Sequence, residues 1–173
     1  MRSENEAAYV QYVSERALPL RRTAYRLCGD WQLAEDLVQT ALVKLFVQWR
    51  RASSAENLDA YSRQIVVRTW IDETRRPWWR ADPVADVPER PAEYEDPSTR
   101  MTLIAALATV PPRQRAVVVL RFWEGMSVAE TAKVLKCSEG TVKSQCSAGL
   151  AALRRAMPEE AAAKVGEGRG GVR

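Results

Sequence analysis

The sequence predicts an all-α protein built from two small helical bundles joined by an acidic, proline-rich linker. Three observations carry this. Apolar residues recur every three to four positions through both halves of the chain. The charge is segmented: residues 1–80 carry net +3, residues 81–100 net −4 and residues 101–157 net +5. The acidic block also holds Pro83, Pro88, Pro91 and Pro97, and such a stretch cannot bury enough apolar surface to offset its ordering entropy.

Tyr9 and Val13 suggest a short helix before Pro19, and Leu20, Ala24 and Leu27 a second one ending near Gly29. Asp30 is a good N-cap for a long helix to Trp49, with Leu33, Ala34, Leu37, Val38, Ala41, Leu42, Leu45, Phe46 and Trp49 as its apolar stripe. Glu35 and Asp36 lie near its positive end. A further helix runs from about Leu58 to Arg75 and stops at Pro77. After the linker, Val117, Val118 and Val119 suggest a strand in isolation. The stretch Arg113 to Trp123 nevertheless reads as helix, because it comes after Pro111 and Pro112 and contains no turn signal. The domains expected are therefore residues 1–80, a flexible linker at 81–100, a second bundle at 101–157, and a disordered glycine-rich tail at 158–173. The two bundles are expected to fold separately, and a single fused interior would overturn the reading.

Composition excludes several chemistries. The chain has no histidine among its 173 residues, so Ser-His-Asp and Cys-His sites and His-containing metal sites are impossible. Its three cysteines, Cys28, Cys137 and Cys146, form no C-x-x-C pair and read as reduced thiols, with Cys146 on a buried face. No apolar run approaches the roughly 20 residues that span a bilayer, and the polar start does not read as a secretory leader. The expectation is a cytoplasmic, mildly basic protein with no cofactor, metal or membrane partner.

The most specific signal lies between Ser127 and Ala156. Ser127-Val128-Ala129-Glu130 is a capping box. A short helix to Leu135, the turn Lys136-Cys137-Ser138 and a longer helix come next, with Val142, Cys146, Gly149, Leu150 and Leu153 on one face and Ala132 at the crossing. This is a helix-turn-helix pattern, whose second helix enters the major groove. Glu139, Thr141, Lys143, Ser144 and Ser147 lie on the outer face near its start, where side chains reach base edges. Arg113, Arg115, Arg121, Arg154 and Arg155 are the candidate phosphate contacts.

In the first bundle, Arg75-Arg76-Pro77-Trp78-Trp79-Arg80 interleaves basic and aromatic residues. Basic groups hold a phosphate backbone and aromatic faces stack on unpaired bases. Arg63, Arg68, Arg75, Arg76 and Arg80 are candidate backbone contacts, and Trp70, Trp78 and Trp79 candidate stacking platforms. Core packing is the commoner role of each tryptophan. Asp36, Gln39, Val43 and Val47 form a second, mixed stripe on the long helix, suited to a partner helix or simply to an exposed flank.

These residues carry a family resemblance. The stretch L-R-F-W-E-G-M-S-V-A-E-T-A at 120–132 with S-E-G-T-V-K-S-Q at 138–145 resembles region 4 of bacterial sigma factors. The stretch L-R-R-T-A-Y-R-L-C-G-D-W-Q-L-A-E-D-L-V-Q at 20–39 resembles region 2. Their order and short linker are similar to the extracytoplasmic-function group of the sigma-70 family, in particular its actinobacterial SigE-like members. The resemblance implies a non-catalytic initiation subunit. It implies core RNA polymerase as partner, with Asp36, Gln39 and Val43 facing the β′ clamp helices and region 4 the β flap. It further implies minus-10 recognition and melting by the first bundle, minus-35 recognition by the second, and an anti-sigma protein that masks both. The molecule would then sit at the nucleoid when bound to polymerase. Two positions depart from the family pattern: Lys136, where Gly is frequent, and Arg68, where many relatives carry Asn. The linker suits this role, because 20 residues reach at most about 66–72 Å, while two helical turns of DNA span on the order of 70 Å. Two rival readings are a stand-alone helix-turn-helix regulator with an N-terminal sensing or dimerisation domain, and a metal-dependent nuclease using Asp30, Glu35, Asp36, Asp72 and Glu73.

Overall fold

The computed structural model describes residues 2–76 and 97–157. They form eight helices: α1 (Arg2–Cys28), α2 (Trp31–Val47), α3 (Trp49–Ala52), α4 (Leu58–Thr74), α5 (Pro97–Thr109), α6 (Pro112–Phe122), α7 (Val128–Leu135) and α8 (Glu139–Ala156). Residues 117–119 are helical, within α6. Of the linker expected at 81–100, residues 97–100 are the first turn of α5, opened by Pro97, whose missing N–H costs nothing there. The rest of that linker and the tail lie outside the described residues.

Two expected boundaries are corrected. The N-terminal stretch is one helix of 27 residues running through Pro19, not two helices. A proline inside a helix costs about 3 kcal/mol. Both halves of α1 are nevertheless held against the same neighbours. Tyr9 donates its hydroxyl to Leu42 O at 2.9 Å and Tyr12 shares a hydrogen bond with Ser62 Oγ at 2.7 Å. On the other side of Pro19, Leu20, Ala24 and Leu27 are buried, while the proline itself faces outward. The second correction concerns the long helix expected from Asp30 to Trp49. It breaks at Gln48, whose backbone leaves helical geometry (φ −103°, ψ 11°) so that Trp49 and Ala52 can turn inward. Asp30 caps α2 as expected, accepting from Leu33 N at 2.7 Å.

The first bundle (α1–α4) closes at one end over Leu45, Trp49 and Ala52. The second (α5–α8) has apolar centres at Leu103, Leu107, Val110, Val118 and Leu153 and at Val117, Ala132 and Val142. The expectation of two separate interiors fails, and so does the criterion that a shared interior would rule out a two-bundle protein, because each bundle also keeps apolar clusters of its own. One continuous cluster contains Leu27, Leu37, Val66, Val67 and Trp70 from the first bundle together with Ala116, Val119, Leu120, Met126 and Val134 from the second. The reason is visible in the sequence of α6: its three consecutive valines and Leu120 are apolar around most of the helix, and a helix buried on all sides needs partners on all sides. One face meets α8 and the other meets α1 and α4.

The contact of α6 with α8 depends on Gly149. A Cβ there would lie 2.8 Å from Val118 Cγ2 and 3.1 Å from Gln114 O. Gly149→Ala gains about 1 kcal/mol of helix propensity but forces an overpacking cost of about 1–3 kcal/mol. The net expectation is a loss of up to about 2 kcal/mol, read as a lower urea midpoint at unchanged m-value; a raised midpoint would show that the crossing relaxes freely.

Candidate nucleic-acid interface

The helix-turn-helix is built from local interactions. Ser127 Oγ accepts from Glu130 N at 3.1 Å, and Glu130 Oε2 accepts from Ser127 N at 2.7 Å. These bonds to its charged form hold the Glu130 carboxyl below its usual pKa. A carboxylate with a depressed folded pKa favours the fold at neutral pH, and that contribution fades as acidification protonates it. At the other end of α7, Lys136 takes the left-handed conformation (φ 52°, ψ 51°). Cys137 N then reaches back to Ala132 O at 3.0 Å, a Schellman-type closure. Ser138 starts α8 by accepting from Thr141 N at 3.1 Å.

Of the residues expected to face DNA on α8, Glu139, Lys143, Ser144 and Ser147 are exposed and Thr141 is half-buried. Thr141 shares a hydroxyl hydrogen bond with Ser138 at 2.9 Å, and Ser144 donates to Thr141 O at 3.0 Å. Both hydroxyls are thus oriented by the helix start. Arg121, half-buried, donates to Met126 O and lines one shallow hollow with Lys143, Ser147 and Arg154. Four residues expected at the DNA therefore line one surface. Cys146, expected on a buried face, is half-buried.

Arg115 corrects the sequence reading. It is not a phosphate contact but a buried residue, donating to Leu27 O at 2.6 Å, to Ala108 O at 2.8 Å and to Val110 O at 2.9 Å. Its guanidinium lies 5.4 Å from the centre of the Trp70 ring. Leu27 and Ala108 belong to the last turns of α1 and α5, so one cation satisfies the negative ends of two helices in different bundles. Burial lowers its pKa to about 10, which leaves it charged at neutral pH.

On the first bundle, Trp70 is fully buried, so its role is packing and not base stacking. Arg75 and Arg76 are exposed at the end of α4, and Arg76 pairs with Glu73 at 3.5 Å. Arg63 pairs with Glu124 of the α6–α7 turn at 3.1 Å. Arg68 donates through Nε to Val134 O at 2.9 Å and through Nη2 to Lys133 O at 3.1 Å, both in the last turn of α7. Trp78, Trp79 and Arg80 lie outside the described residues. Arg68, Arg75, Arg113 and Lys136 border one groove between α4 and the helix-turn-helix, so the two departures from the family pattern meet at a single place.

On α2, Asp36, Gln39, Val43 and Val47 are all exposed, the valines at 65% and 78%. Phe46, assigned to the buried stripe by its spacing, is 51% exposed and extends the same flank, its ring edge-on to Tyr9 at 4.9 Å. The 43–46–47 spacing was the available signal for it. Three of the five carboxylates of the nuclease reading have other employment: Asp30 caps α2, Glu35 pairs with Arg21 at 3.2 Å and Glu73 with Arg76. Among the described residues, no group of three or more acidic, cysteine or histidine side chains is placed to hold a metal ion, and no helix is long and apolar enough to cross a membrane.

Comparison with known proteins agrees with this arrangement. The family described as sigma-70 region 2 matches residues 13–80, and sigma-70 region 4 matches residues 100–153. The chain is 39% identical over 156 residues to the RNA polymerase sigma-E factor of Streptomyces coelicolor, covering 86% of this chain and 85% of that protein. It is 33% identical over 158 residues to the extracytoplasmic-function sigma factor SigM of Mycobacterium tuberculosis, covering 87% and 77%. Among solved structures, the sigma factor RpoE of Bartonella quintana, crystallised with the anti-sigma factor NepR, superposes with a TM-score of 0.72 at 24% identity, over 86% of this chain and 96% of that one.

Left-handed backbone costs a residue with a Cβ about 1–2 kcal/mol. Lys136→Gly is therefore expected to raise the melting temperature by about 2–8 °C in a thermal scan. An unchanged or lower value would mean that the lysine side chain compensates for its backbone.

Proposed function

The chain belongs to the sigma-70 family, in its extracytoplasmic-function group of SigE-like sigma factors, and as the promoter-selecting subunit of RNA polymerase we propose that it works through three surfaces. The exposed flank of α2, with Asp36, Gln39, Val43, Phe46 and Val47, grips core polymerase at the β′ clamp helices. The outer face of α8, with Glu139, Thr141, Lys143, Ser144 and Ser147, reads duplex minus-35 DNA, and Arg121 and Arg154 hold its phosphates. The α4 surface and the segment C-terminal to it, with Arg63, Arg68, Arg75, Arg76, Trp78, Trp79 and Arg80, take the opened minus-10 strand.

The observation that carries this reading is the convergence of Arg121 of α6 with Lys143, Ser147 and Arg154 of α8 on one open hollow beside the second helix of a capped helix-turn-helix. Cationic side chains fix the register on phosphates, and polar groups at the start of that helix reach base edges. Because both DNA elements must be met by one chain, joint binding rewards promoters with the right spacing. The protein supplies no catalytic residue to this mechanism and acts in the cytoplasm. An anti-sigma protein that masks these surfaces belongs to the same proposal. The stand-alone regulator reading lacks a supporting observation, since the first bundle matches sigma-70 region 2.

Transcription reconstituted with core polymerase over a promoter library tests the proposal. Promoter-specific initiation should require this chain, and the chain alone should bind promoter DNA poorly. Lys143→Ala is expected to weaken duplex minus-35 binding about tenfold, the effect of losing one good base-edge or phosphate contact. Asp36→Ala should weaken polymerase binding and leave duplex binding by the second bundle unchanged. If both variants merely lower the melting temperature, the surfaces are wrongly assigned.

A further inference from the structure

The groove between α4 and the helix-turn-helix gathers charge from two helices and a turn. Arg68 and Arg75 come from α4 and its C-cap, Arg113 from the start of α6 and Lys136 from the α7–α8 turn, against one carboxylate, Asp72. The groove encloses about 270 Å³, at the lower end of small-ligand pockets. Arg68 is fixed on the carbonyls of Val134 and Lys133, so it lends the groove charge but has few donors to spare. Arg75, Arg113 and Lys136 are exposed, and among the described residues none of the three spends its side chain on a hydrogen bond or ion pair. Four cations around one cavity repel one another, and their excess over Asp72 favours an anion of matching charge.

One of these cations is placed at a cost. Among the described residues, Lys136 is the only one other than glycine with a positive φ, and glycine would hold that backbone more cheaply. An observed strained residue points toward function, and what lysine adds over glycine is a long cation bordering the groove. We propose that the groove binds a small linear polyphosphate, inorganic or the tail of a nucleotide, whose phosphoryl oxygens accept from Arg75, Arg113 and Lys136. A single phosphate carries about −1.5 to −2 charge at pH 7 and leaves part of the excess unmatched, whereas two or three linked phosphates match it. Guanidinium forks on separate walls take separate phosphoryl groups, and the lysine serves as a point charge between them. Arg75 belongs to the first bundle and Arg113 and Lys136 to the second, so the bound anion adds stability to the joined bundles by mass action. The site stands apart from the DNA contacts proposed above except at Arg75, and the test therefore uses Arg113 and Lys136.

Cys137 reports on the groove. It is half-buried and lines the same cavity. Cys146 lines the other cationic hollow, with Arg121, Lys143 and Arg154, and so registers anions that gather on any basic surface. Cys28 packs against the shared apolar cluster and registers changes in the fold. An anion seated in the groove covers the first thiol and leaves the other two as they were.

The test uses the full chain and sodium tripolyphosphate at constant ionic strength. Labelling by N-ethylmaleimide, an uncharged reagent, is read peptide by peptide. Tripolyphosphate should slow labelling of Cys137 at concentrations that leave Cys146 and Cys28 unchanged. Arg113→Gln and Lys136→Asn should each raise the half-protecting concentration about tenfold, the effect of losing one charge-assisted contact. Asparagine tolerates left-handed backbone, and circular dichroism confirms retained helix in both variants. Arg51→Gln, which removes an exposed cation from α3, should leave the half-protecting concentration where it was. Adenosine triphosphate in place of tripolyphosphate separates the two sources: equal or weaker protection assigns the site to an inorganic chain, stronger protection to a nucleotide, and both uphold it. Four results overturn it: no protection of Cys137, parallel protection of Cys146, equal protection by sulfate, or unchanged protection in both folded variants. A single-stranded oligonucleotide that protects Cys137 more strongly per phosphate than tripolyphosphate also overturns it, because the groove then belongs to the DNA strand. Polymerase-dependent initiation is untouched by any of these results, and the sigma-factor role stands on it separately.

Discussion

The guanidinium of Arg115 lies where three constraints meet. Two helices, α1 and α5, end against one another and leave carbonyls that no helix can satisfy. A buried unpaired carbonyl costs about 1–3 kcal/mol. One cation donating to Leu27, Ala108 and Val110 removes that cost for both ends at once. Its own charge is compensated by the negative ends of the two helices and by the face of Trp70. The arrangement works only while the bundles are together, because Leu27 is on one and Ala108 on the other. The same residue thereby ties the fold of each half to the docking of the two.

Around this cation the seam is mixed in chemistry. Its centre is apolar, formed by Leu27, Trp70, Val119, Leu120 and Val134. Its edge is ionic, formed by Arg63, Glu124 and the carbonyls that Arg68 takes from α7. Interfaces between domains of one chain resemble transient protein–protein contacts, and relative motion is their ordinary behaviour. The apolar centre supplies attraction, and the ionic edge supplies register. Away from the seam, Trp49 and its neighbours close one end of the first bundle, and Val142 and Val117 pack within the second.

The helix-turn-helix was legible almost completely. The capping box, the turn and the Ser138 cap are contacts between residues three apart, and local contacts leave local signatures. The cost of Lys136 was legible for the same reason, since a turn of this kind demands left-handed backbone whatever surrounds it. The capping role of Asp30 and the helical state of the three valines obey the same logic. What was misread were residues whose fate depends on distant partners. Pro19 signalled a break, yet burial on both sides of it carried α1 through. Phe46 had the spacing of a core residue, yet it stands half exposed on α2 beside Tyr9. Arg115 had the appearance of a phosphate contact on a basic surface, and nothing in the spacing of α6 tells which arginine will find a carbonyl from the other bundle.

The order of residues therefore decided, unaided, that the chain is helical, that its second half carries a DNA-reading motif, and that two charged bundles flank an acidic stretch. Periodicity, caps and turn chemistry act over a few residues and are written in them directly. Only the assembled molecule decided that the bundles share an interior, and which cations face outward. A buried seam is made by residues from 20 to 134, brought together by a topology that no short window contains. Hydrophobic attraction has no direction of its own, and so the sequence supplied the surfaces while packing chose which of them would meet.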